Sequence, residues 1–550
     1  MNRAAGHKLG RWGRLAALVY EVSPQIFAAL GFLAGGVMIA SSVTPAFPGR
    51  LAWVSEALPP VFIDLSHFAA SVVGFLMLLL AAGLWRRRQG AWLAAIVLLI
   101  VGAGLSLLKG LDWEEAAELL LLAAVLWPCR RAFDRRSRLF EALSPSWLLL
   151  LLATVAGMLW LGFFTYRDVA YTDDLWWTLV TDQEVSGFLR AAAVIALMAV
   201  VLAGRALLSA PGAKSHRAPT PEEAARALAI LQAGEGVTPD AWLASLGDKA
   251  LLFSPSGRAF LAYAVRGRRW IAIGEPAGPS GDRLPLLWAF AELADSYGGA
   301  PVFYAVGEDL LSDLATLGMA LRKVGETAVV RTDAFSLEGK SKQNLRTAVN
   351  RLEREGAAVE VIRPGEPGLD MAELRALSDA WLTHHKGTEK RFSLGRFNPD
   401  YLSQTPLAVV RIDGRVVAFA NLMPGSDGVA VDLMRHLPDA PTGVMDYLFV
   451  RAIQWARIEG LTDFSLGMAP LAGLENRRLA PVFARVGALV FEEGGALYGF
   501  QGLRAYKSKF DPDWRPLFIA APASTPLPLA LLDVALLTSG GWLGMLGLKR

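Results

Sequence analysis

Apolar residues crowd the first two-fifths of the chain in long blocks, then alternate with polar ones at helix and strand spacing as far as residue 522. The blocks 22–43, 64–84, 91–109, 111–127, 146–165 and 187–208 each approach the ~20 residues that carry a helix across ~30 Å of hydrocarbon. They predict an α-helical membrane domain of six spans over 1–208. The fourth block carries Glu114, Glu115 and Glu118 in its first half and is the one that could be re-entrant. The interiors of the others are almost free of charge, the pattern of an anchor rather than a conduit, because intramembrane charges are costly and usually mark function.

Beyond the polar stretch 209–219, read as a linker, the pattern changes to short strands and amphipathic helices. Thr220-Pro221-Glu222-Glu223 supplies a capping residue, a proline for the first turn and acids against the helix dipole. Runs 250–254, 259–265 and 269–273, separated by Ser-Gly and Arg-Gly turns, predict an antiparallel meander. Helix 284–297, strand 301–306, helix 310–317 and strand 326–332 follow. Helix 341–355 has Leu345, Val349 and Leu352 on one stripe and Lys340, Arg351 and Arg354 on the far side. The plan restarts after strand 359–363: helix 371–383, strands 407–412, 416–423 and 428–435, helix 444–459 and strand 463–466. Two copies of one mixed α/β plan are expected, at 220–365 and 366–522, followed by an apolar interfacial tail at 523–550.

Composition sharpens this picture in three respects. Hydrophobic residues make up 53% of the chain and charged residues 19%, too greasy for a chain soluble throughout. The net charge of +3 conceals a pattern: basic residues fill alternate loops, at Arg3–Arg14, Arg86–Arg88, Arg130–Arg138 and Lys214 with Arg217. Lys and Arg favour the cytoplasmic side of short loops, so both termini and the α/β part are expected in the cytoplasm, with no cleavable signal peptide. Cys129 is the one cysteine, which excludes a disulfide framework and any cysteine-rich metal centre.

Candidate chemistry concentrates at Asp432, Arg435 and His436, where a strand ends near a helix N-terminus. A carboxylate can hold or deprotonate a nucleophile, and a guanidinium can hold phosphate or a developing oxyanion. Because side chains alternate along a strand, Asp432 and Arg435 face opposite ways unless the strand ends or bulges between them; without that, a structural ion pair accounts for them as well. His384-His385 and the charged segment after them read as a solvated loop rather than a metal site. The segment 501–510 sets Arg504, Lys507 and Lys509 among aromatics, which suits phosphate gripping or, equally, a solvated helix. The Lys340–Arg354 basic face is open to the same two readings. Gly339-Lys340-Ser341 ends like a phosphate-binding loop, but Ala334 stands where its first glycine belongs, so nucleotide-driven chemistry is not indicated.

Several segments in one order carry a family resemblance. They include Asp174-Leu175-Trp176-Trp177, Gly247-Asp248-Lys249, Gln343-Asn344-Leu345-Arg346 and Phe392-Ser393-Leu394-Gly395, then the Asp432–Arg435 block, Gly467-Met468-Ala469-Pro470-Leu471 and Phe500-Gln501-Gly502-Leu503-Arg504. From about residue 145 to 522 the chain resembles the bacterial aminoacyl-phosphatidylglycerol synthases, the multiple peptide resistance factor family. The resemblance implies tandem GNAT-like acyltransferase domains that move an aminoacyl group from charged tRNA to phosphatidylglycerol at the membrane, with no cofactor and no metal. It implies catalytic roles for Asp432 and Arg435. Lys340, Arg346, Arg504 and Lys507, with Met468 and Gln501 in the matched motifs, are the expected substrate-binding residues. The usual GNAT pyrophosphate loop is replaced by 438–443, which argues against acetyl-CoA as donor. Full-length relatives carry extra N-terminal spans that flip the product, so synthesis without flipping is expected here. The amino acid transferred, a homo-oligomer and a separate flippase stay open. So do two rival readings, aminoacyl transfer to another lipid or a cell-wall precursor, and a lipid transporter with a cytoplasmic regulatory domain.

Overall fold

The computed structural model describes residues 11–43, 60–133, 135, 217–385, 387–493 and 500–542. The expected spans at 146–165 and 187–208, most of the linker and the end of the tail lie outside them. The chain divides into two units, one ending at Gly212 and one beginning at Ala213, with the short segment Ser296–Gly298 grouped with the first.

In the first unit, helices α1 (Arg11–Val43), α2 (Pro60–Trp85), α3 (Gln89–Gly110) and α4 (Trp113–Leu126) occupy the four expected places. Each packs on the next in sequence. Gly35 of α1 meets the Gly74 carbonyl of α2 so closely that a Cβ there would overlap it, a small-residue contact of the kind that lets apolar helices approach. Phe27, Met77, Leu84, Trp92, Leu99 and Leu119 are buried together, whereas Phe32, Leu33, Ile100 and Leu121 face outward. Among the described residues one helix, over Gln89–Leu108, is long and apolar enough to cross a membrane. The apolar parts of α1 and α2 shorten to Val22–Met38 and Val72–Trp85, and α4 has 14 residues with Glu114 and Glu115 in its first turn.

The second unit opens with α5 (Pro221–Ala233), where Thr220 and Glu223 cap each other's backbone as the sequence predicts. A 3-10 turn at Pro239–Leu246 leads to β1 (Ala250–Phe253), β2 (Phe260–Arg266) and β3 (Arg269–Ile273), the antiparallel meander. Then come α6 (Ser280–Ser296), β4 (Ala300–Val306) parallel to β3, α7 (Leu311–Thr316) and β5 (Met319–Arg331). The basic helix α8 (Gln343–Arg354) buries Leu345, Val349 and Leu352 and is followed by β6 (Ala358–Ile362). The plan repeats through α9 (Met371–His384), the short α10 (Pro399–Leu402), β7 (Leu407–Ile412), β8 (Arg415–Pro424), β9 (Gly428–His436), α11 (Val444–Ile458) and β10 (Asp463–Pro470). Helices α12 (Val482–Glu493) and α13 (Phe500–Ser508), strand β11 (Asp513–Pro522) and helix α14 (Leu527–Ser539) complete it.

All eleven strands form one mixed sheet in the order β1-β2-β3-β4-β11-β5-β10-β9-β8-β7-β6. Strands cross between the repeats: β11 of the second sits between β4 and β5 of the first, so that β5 separates β11 from β10. The sequence division at 365 therefore falls inside a continuous sheet, with β6 on one side of it paired to β7 on the other. Strand β11 escapes the sequence pattern because Pro516 and Pro522 read as breakers, and proline is rarely central in a sheet; here a register shift at Leu517/Phe518 accommodates the irregularity. The apolar helix α14 lies on β2 and β3, with buried Asp533 paired to Arg266 and Arg269.

Candidate active site

The site forms where the sheet forks. Strands β9 and β10 pair in parallel only through 428–430 and 463–465, after which they part. Beyond the last paired residue, β9 bulges: Val431 faces Leu422 and Met434 faces Ala420, so Asp432 and Leu433 together oppose the single residue Asn421. The extra residue shifts the side-chain alternation by one and turns Asp432 and Arg435 to the same face. Asn421, fully buried, holds the bulge by accepting the Leu433 N–H at 2.7 Å.

Asp432 is gripped from both oxygens. Oδ1 accepts the Gly395 N–H and Oδ2 accepts the Tyr401 hydroxyl, each at 2.8 Å. A side chain at 395 would overlap the Asp432 carboxylate, so glycine is required there by close approach. Tyr401 in turn accepts the Asn421 side-chain amide at 3.0 Å, closing an Asp432–Tyr401–Asn421–Leu433 loop around the bulge. Burial pushes the Asp432 carboxyl above the usual carboxylate range, opposed by its hydrogen bonds from Gly395 and Tyr401 and by the charges of Lys249 and Arg435.

Arg435 lies with its guanidinium 4.2 Å from the centre of the Trp381 ring and reaches Glu389 Oε2 at 3.3 Å. Its Nε has no hydrogen-bond partner, and burial lowers its pKa. Beneath Asp432, the fully buried Lys249 donates to the Leu243 carbonyl at 2.7 Å and to Asp248 at 2.5 Å. Burial works to raise the Asp248 carboxyl, but its pairing with Lys249 and the bond from the Phe392 N–H bring it below its ordinary value.

A second carboxylate comes from the first repeat. Asp240, on the turn before β1, is open to the cleft yet crowded by protein on its other sides. That crowding, then the charges of Asp432 and Glu275, push its carboxyl up to about 6. Tyr304 of β4, pushed up to about 12 by burial and by Asp240, directs its hydroxyl toward the Met468 sulfur at 3.8 Å.

Lys507 fills the fork from the other side. The parting of β9 and β10 frees carbonyls of the 467–468 segment, and Lys507 Nζ donates to Gly467 and Met468, both at 2.9 Å. Burial without a carboxylate partner lowers its pKa to about 7. A Cβ on Gly467 would lie 3.7 Å from this ammonium and 3.8 Å from the Val431 carbonyl, which puts Lys507 beside the start of the bulge.

The expected site residues thus separate into two groups. Asp432, Arg435, Met468 and Lys507 converge at the fork. Arg346 instead donates to the Leu337 and Gly339 carbonyls, bracing the loop before α8. Arg504 pairs with Glu326 at 3.0 Å and lies over Trp514 at 4.7 Å. Lys340 is exposed at the head of α8, and Gln501 lies on α13. At the loop 438–443, the Thr442 carbonyl is bonded by Arg351 of α8. Tyr401, Asn421 and Asp240 were not expected. Gly247-Asp248-Lys249 and the Phe392–Gly395 segment carried the signal for their neighbours, but their contribution to one site was visible only in space.

A mixed sheet whose parallel strands part at a carboxylate–guanidinium pair defines the region as resembling a GNAT-like acyltransferase. Residues 228–521 match the family model of the phosphatidylglycerol lysyltransferase C-terminal region, and the chain belongs to that family. It is 31% identical over 511 residues to the phosphatidylglycerol lysyltransferase of Bacillus subtilis (strain 168), covering 92% of this chain and 58% of that one. It is 34% identical over 276 residues to the phosphatidylglycerol lysyltransferase of Staphylococcus aureus (strain MSSA476), covering 50% of this chain and 33% of that one. The chain therefore spans between a third and three-fifths of these relatives' length. Among solved structures, it is similar to the C-terminal domain of a protein described as a lysylphosphatidylglycerol synthetase from Agrobacterium fabrum. That likeness has 41% identity and a TM-score of 0.52, over 58% of this chain and 98% of that one. It is likewise similar to L-PGS from Bacillus licheniformis, with 35% identity and a TM-score of 0.51, over 59% of this chain and 98% of that one.

Proposed function

We propose that the protein transfers an aminoacyl group from aminoacyl-tRNA to phosphatidylglycerol at the cytoplasmic face of a bacterial membrane. The product, an aminoacyl-phosphatidylglycerol, lowers the negative surface charge, which weakens the attraction of cationic antimicrobial peptides and so gives resistance to them. The observation that carries this reading is the bulge in β9 that turns Asp432 and Arg435 to one face of the fork.

The chemistry is an ester exchange. A glycerol hydroxyl of the lipid attacks the aminoacyl carbonyl, the bond to the tRNA ribose oxygen breaks, and the proton lost by the attacking hydroxyl ends on that leaving oxygen. One ester replaces another, so no ATP is consumed. Asp432 takes the proton from the nucleophile and returns it to the leaving group. Arg435 faces the carbonyl oxygen as negative charge develops, in a site dry enough for that charge to matter. Asp240, across from Asp432, suits the ammonium of the aminoacyl group. Lys507, with a pKa of about 7, can supply a charge or a proton near neutrality.

The names of the Bacillus and Staphylococcus relatives favour lysine as the group transferred. In this reading the helices of the first unit, α3 foremost, anchor the enzyme beside its lipid with both termini in the cytoplasm, in a multi-pass arrangement. The exposed Lys340 and the α8 face are left to grip tRNA phosphate, and a separate flippase receives the product. Thin-layer analysis of lipids from membranes supplied with lysyl-, alanyl- or arginyl-tRNA tests it. A ribonuclease-sensitive aminoacylated lipid is expected with one donor and its loss with Asp432→Ala. No such lipid with any donor, or full activity in the variant, would overturn it.

A further inference from the structure

Glu389, the ion-pair partner of Arg435, also lines a cavity of about 570 Å³. Arg375, Arg391 and Arg396 line it, with Thr388 and Asn398 between them. Arg375 lies over the Phe397 ring at 4.8 Å, and Arg396 donates to the Leu246 carbonyl at 3.2 Å. Arg391 is tethered through its backbone N–H to the Thr538 carbonyl at the end of α14. Among the described residues, no carboxylate lies within ion-pair distance of any of the three guanidiniums. The one acid in the wall, Glu389, is already paired with Arg435 and accepts the Phe397 N–H.

Three guanidiniums against the single carboxylate of Glu389 leave the wall with an excess of positive charge, which favours an anion. Guanidinium forks match the geometry of phosphate oxygens, and Thr388 and Asn398 add further polar groups to the wall. The volume falls in the range of small-ligand sites and suits a single headgroup rather than the extended groove that follows a nucleic acid strand. The surroundings suit a lipid. Leu394 (47% exposed) lies between Arg391 and Arg396 in sequence, and Trp542 (54% exposed) follows the apolar α14 where it meets Arg391. An aromatic and an aliphatic side chain beside a cationic cavity match a membrane interface, where apolar groups enter the bilayer beside anionic headgroups.

We propose that this cavity binds the phosphodiester of an anionic phospholipid headgroup. Resting on the transferase reading above, it fixes the acceptor's phosphate one side chain away from Arg435, with Glu389 as the shared wall, so that the glycerol end points to the fork. Arg375, Arg391 and Arg396 are then specificity-determining residues for the acceptor, separate from the Asp432 machinery.

The test uses the full chain in phosphatidylcholine nanodiscs. Binding of the soluble headgroup glycerophosphoglycerol, of inorganic phosphate and of tRNA is measured for wild type, Arg375→Gln, Arg391→Gln and Arg396→Gln. Each glutamine variant is expected to weaken headgroup binding about ten-fold and to raise KM for phosphatidylglycerol correspondingly, with kcat and tRNA binding unchanged. Arg391→Lys is expected to keep more binding than Arg391→Gln. Arg375 and Arg391 are exposed, so a folding defect confined to Arg396→Gln leaves two variants to decide the matter. Unaltered headgroup binding in both would overturn the proposal. So would loss of tRNA binding with headgroup binding intact, or inorganic phosphate binding as tightly as the headgroup. Headgroup binding that weakens in the variants, without any aminoacylated lipid from wild type, supports the cavity's role and overturns the transferase reading alone.

Discussion

Tyr401 donates a 2.8 Å hydrogen bond to Asp432 from a four-residue helix that lies 31 positions earlier in the chain. That bond favours the charged carboxylate, as does the Gly395 N–H, while burial opposes it. Tyr401→Phe removes one of the two hydrogen bonds that favour the charged carboxylate, leaving Gly395 and the charges of Lys249 and Arg435, so the Asp432 pKa, already raised, rises further. The acid limb of the rate profile is expected to move toward higher pH by about one unit, with the rate above that limb less affected. A limb in the same place for both proteins would mean that Asp432 does not work as the carboxylate.

Asn421 is the buried residue opposite the bulge, accepting from Leu433 and donating to Tyr401. Asn421→Leu keeps the branched shape but leaves a buried N–H unsatisfied, at a cost of about 1–3 kcal/mol. Denaturant titration should register that loss. Activity should fall further than the folded fraction does, because the bulge sets where Asp432 points. A variant with lowered stability but undiminished activity per folded molecule would show that the bulge needs no such support.

Arg435→Lys separates charge from shape. Lysine keeps the positive charge but loses the planar group that lies over Trp381 and reaches Glu389. If Arg435 faces a developing oxyanion, kcat is expected to fall roughly 10²-fold with little change in thermal midpoint. Steady-state kinetics on the lysine variant decide it, and a near-native kcat would reduce Arg435 to a general positive charge.

Much of this arrangement was legible in the sequence, where periodicity or chemistry is local. The meander, the amphipathic α8 and the Asp432–Arg435 block all follow from residues within a few positions of one another. What was not legible depends on distant partners. The shared facing of Asp432 and Arg435 depends on Asn421, one strand away. Lys507 read as a phosphate contact or a solvated helix cation, because nothing near it in sequence announces that β9 and β10 part and free the Gly467 and Met468 carbonyls. Arg346 and Arg504 looked like phosphate contacts by charge alone, yet loop carbonyls and Glu326 occupy them. The crossing of β11 to a place between β4 and β5 is likewise a non-local pairing, hidden further by Pro516 in the middle of β11.

Lys507 yields the sharpest pH prediction. Burial lowers its pKa to about 7 in the folded protein, against roughly 10.4 for a lysine in an unfolded chain. Below pH 7 both states carry the proton, and the fold bears the whole cost of a buried ammonium. Between about 7 and 10 the unfolded chain binds more protons than the folded one, so this group makes stability rise with pH. Its hydrogen bonds to Gly467 and Met468 survive the change, since a neutral amine still donates. Lys507→Met has no such titration. The thermal midpoint of wild type minus that of the methionine variant is therefore expected to grow as pH is raised from 7 to 9.5, whatever its value at pH 7. Parallel melting curves across that range would show that Lys507 does not titrate there, and that its ammonium is matched by charge at the fork.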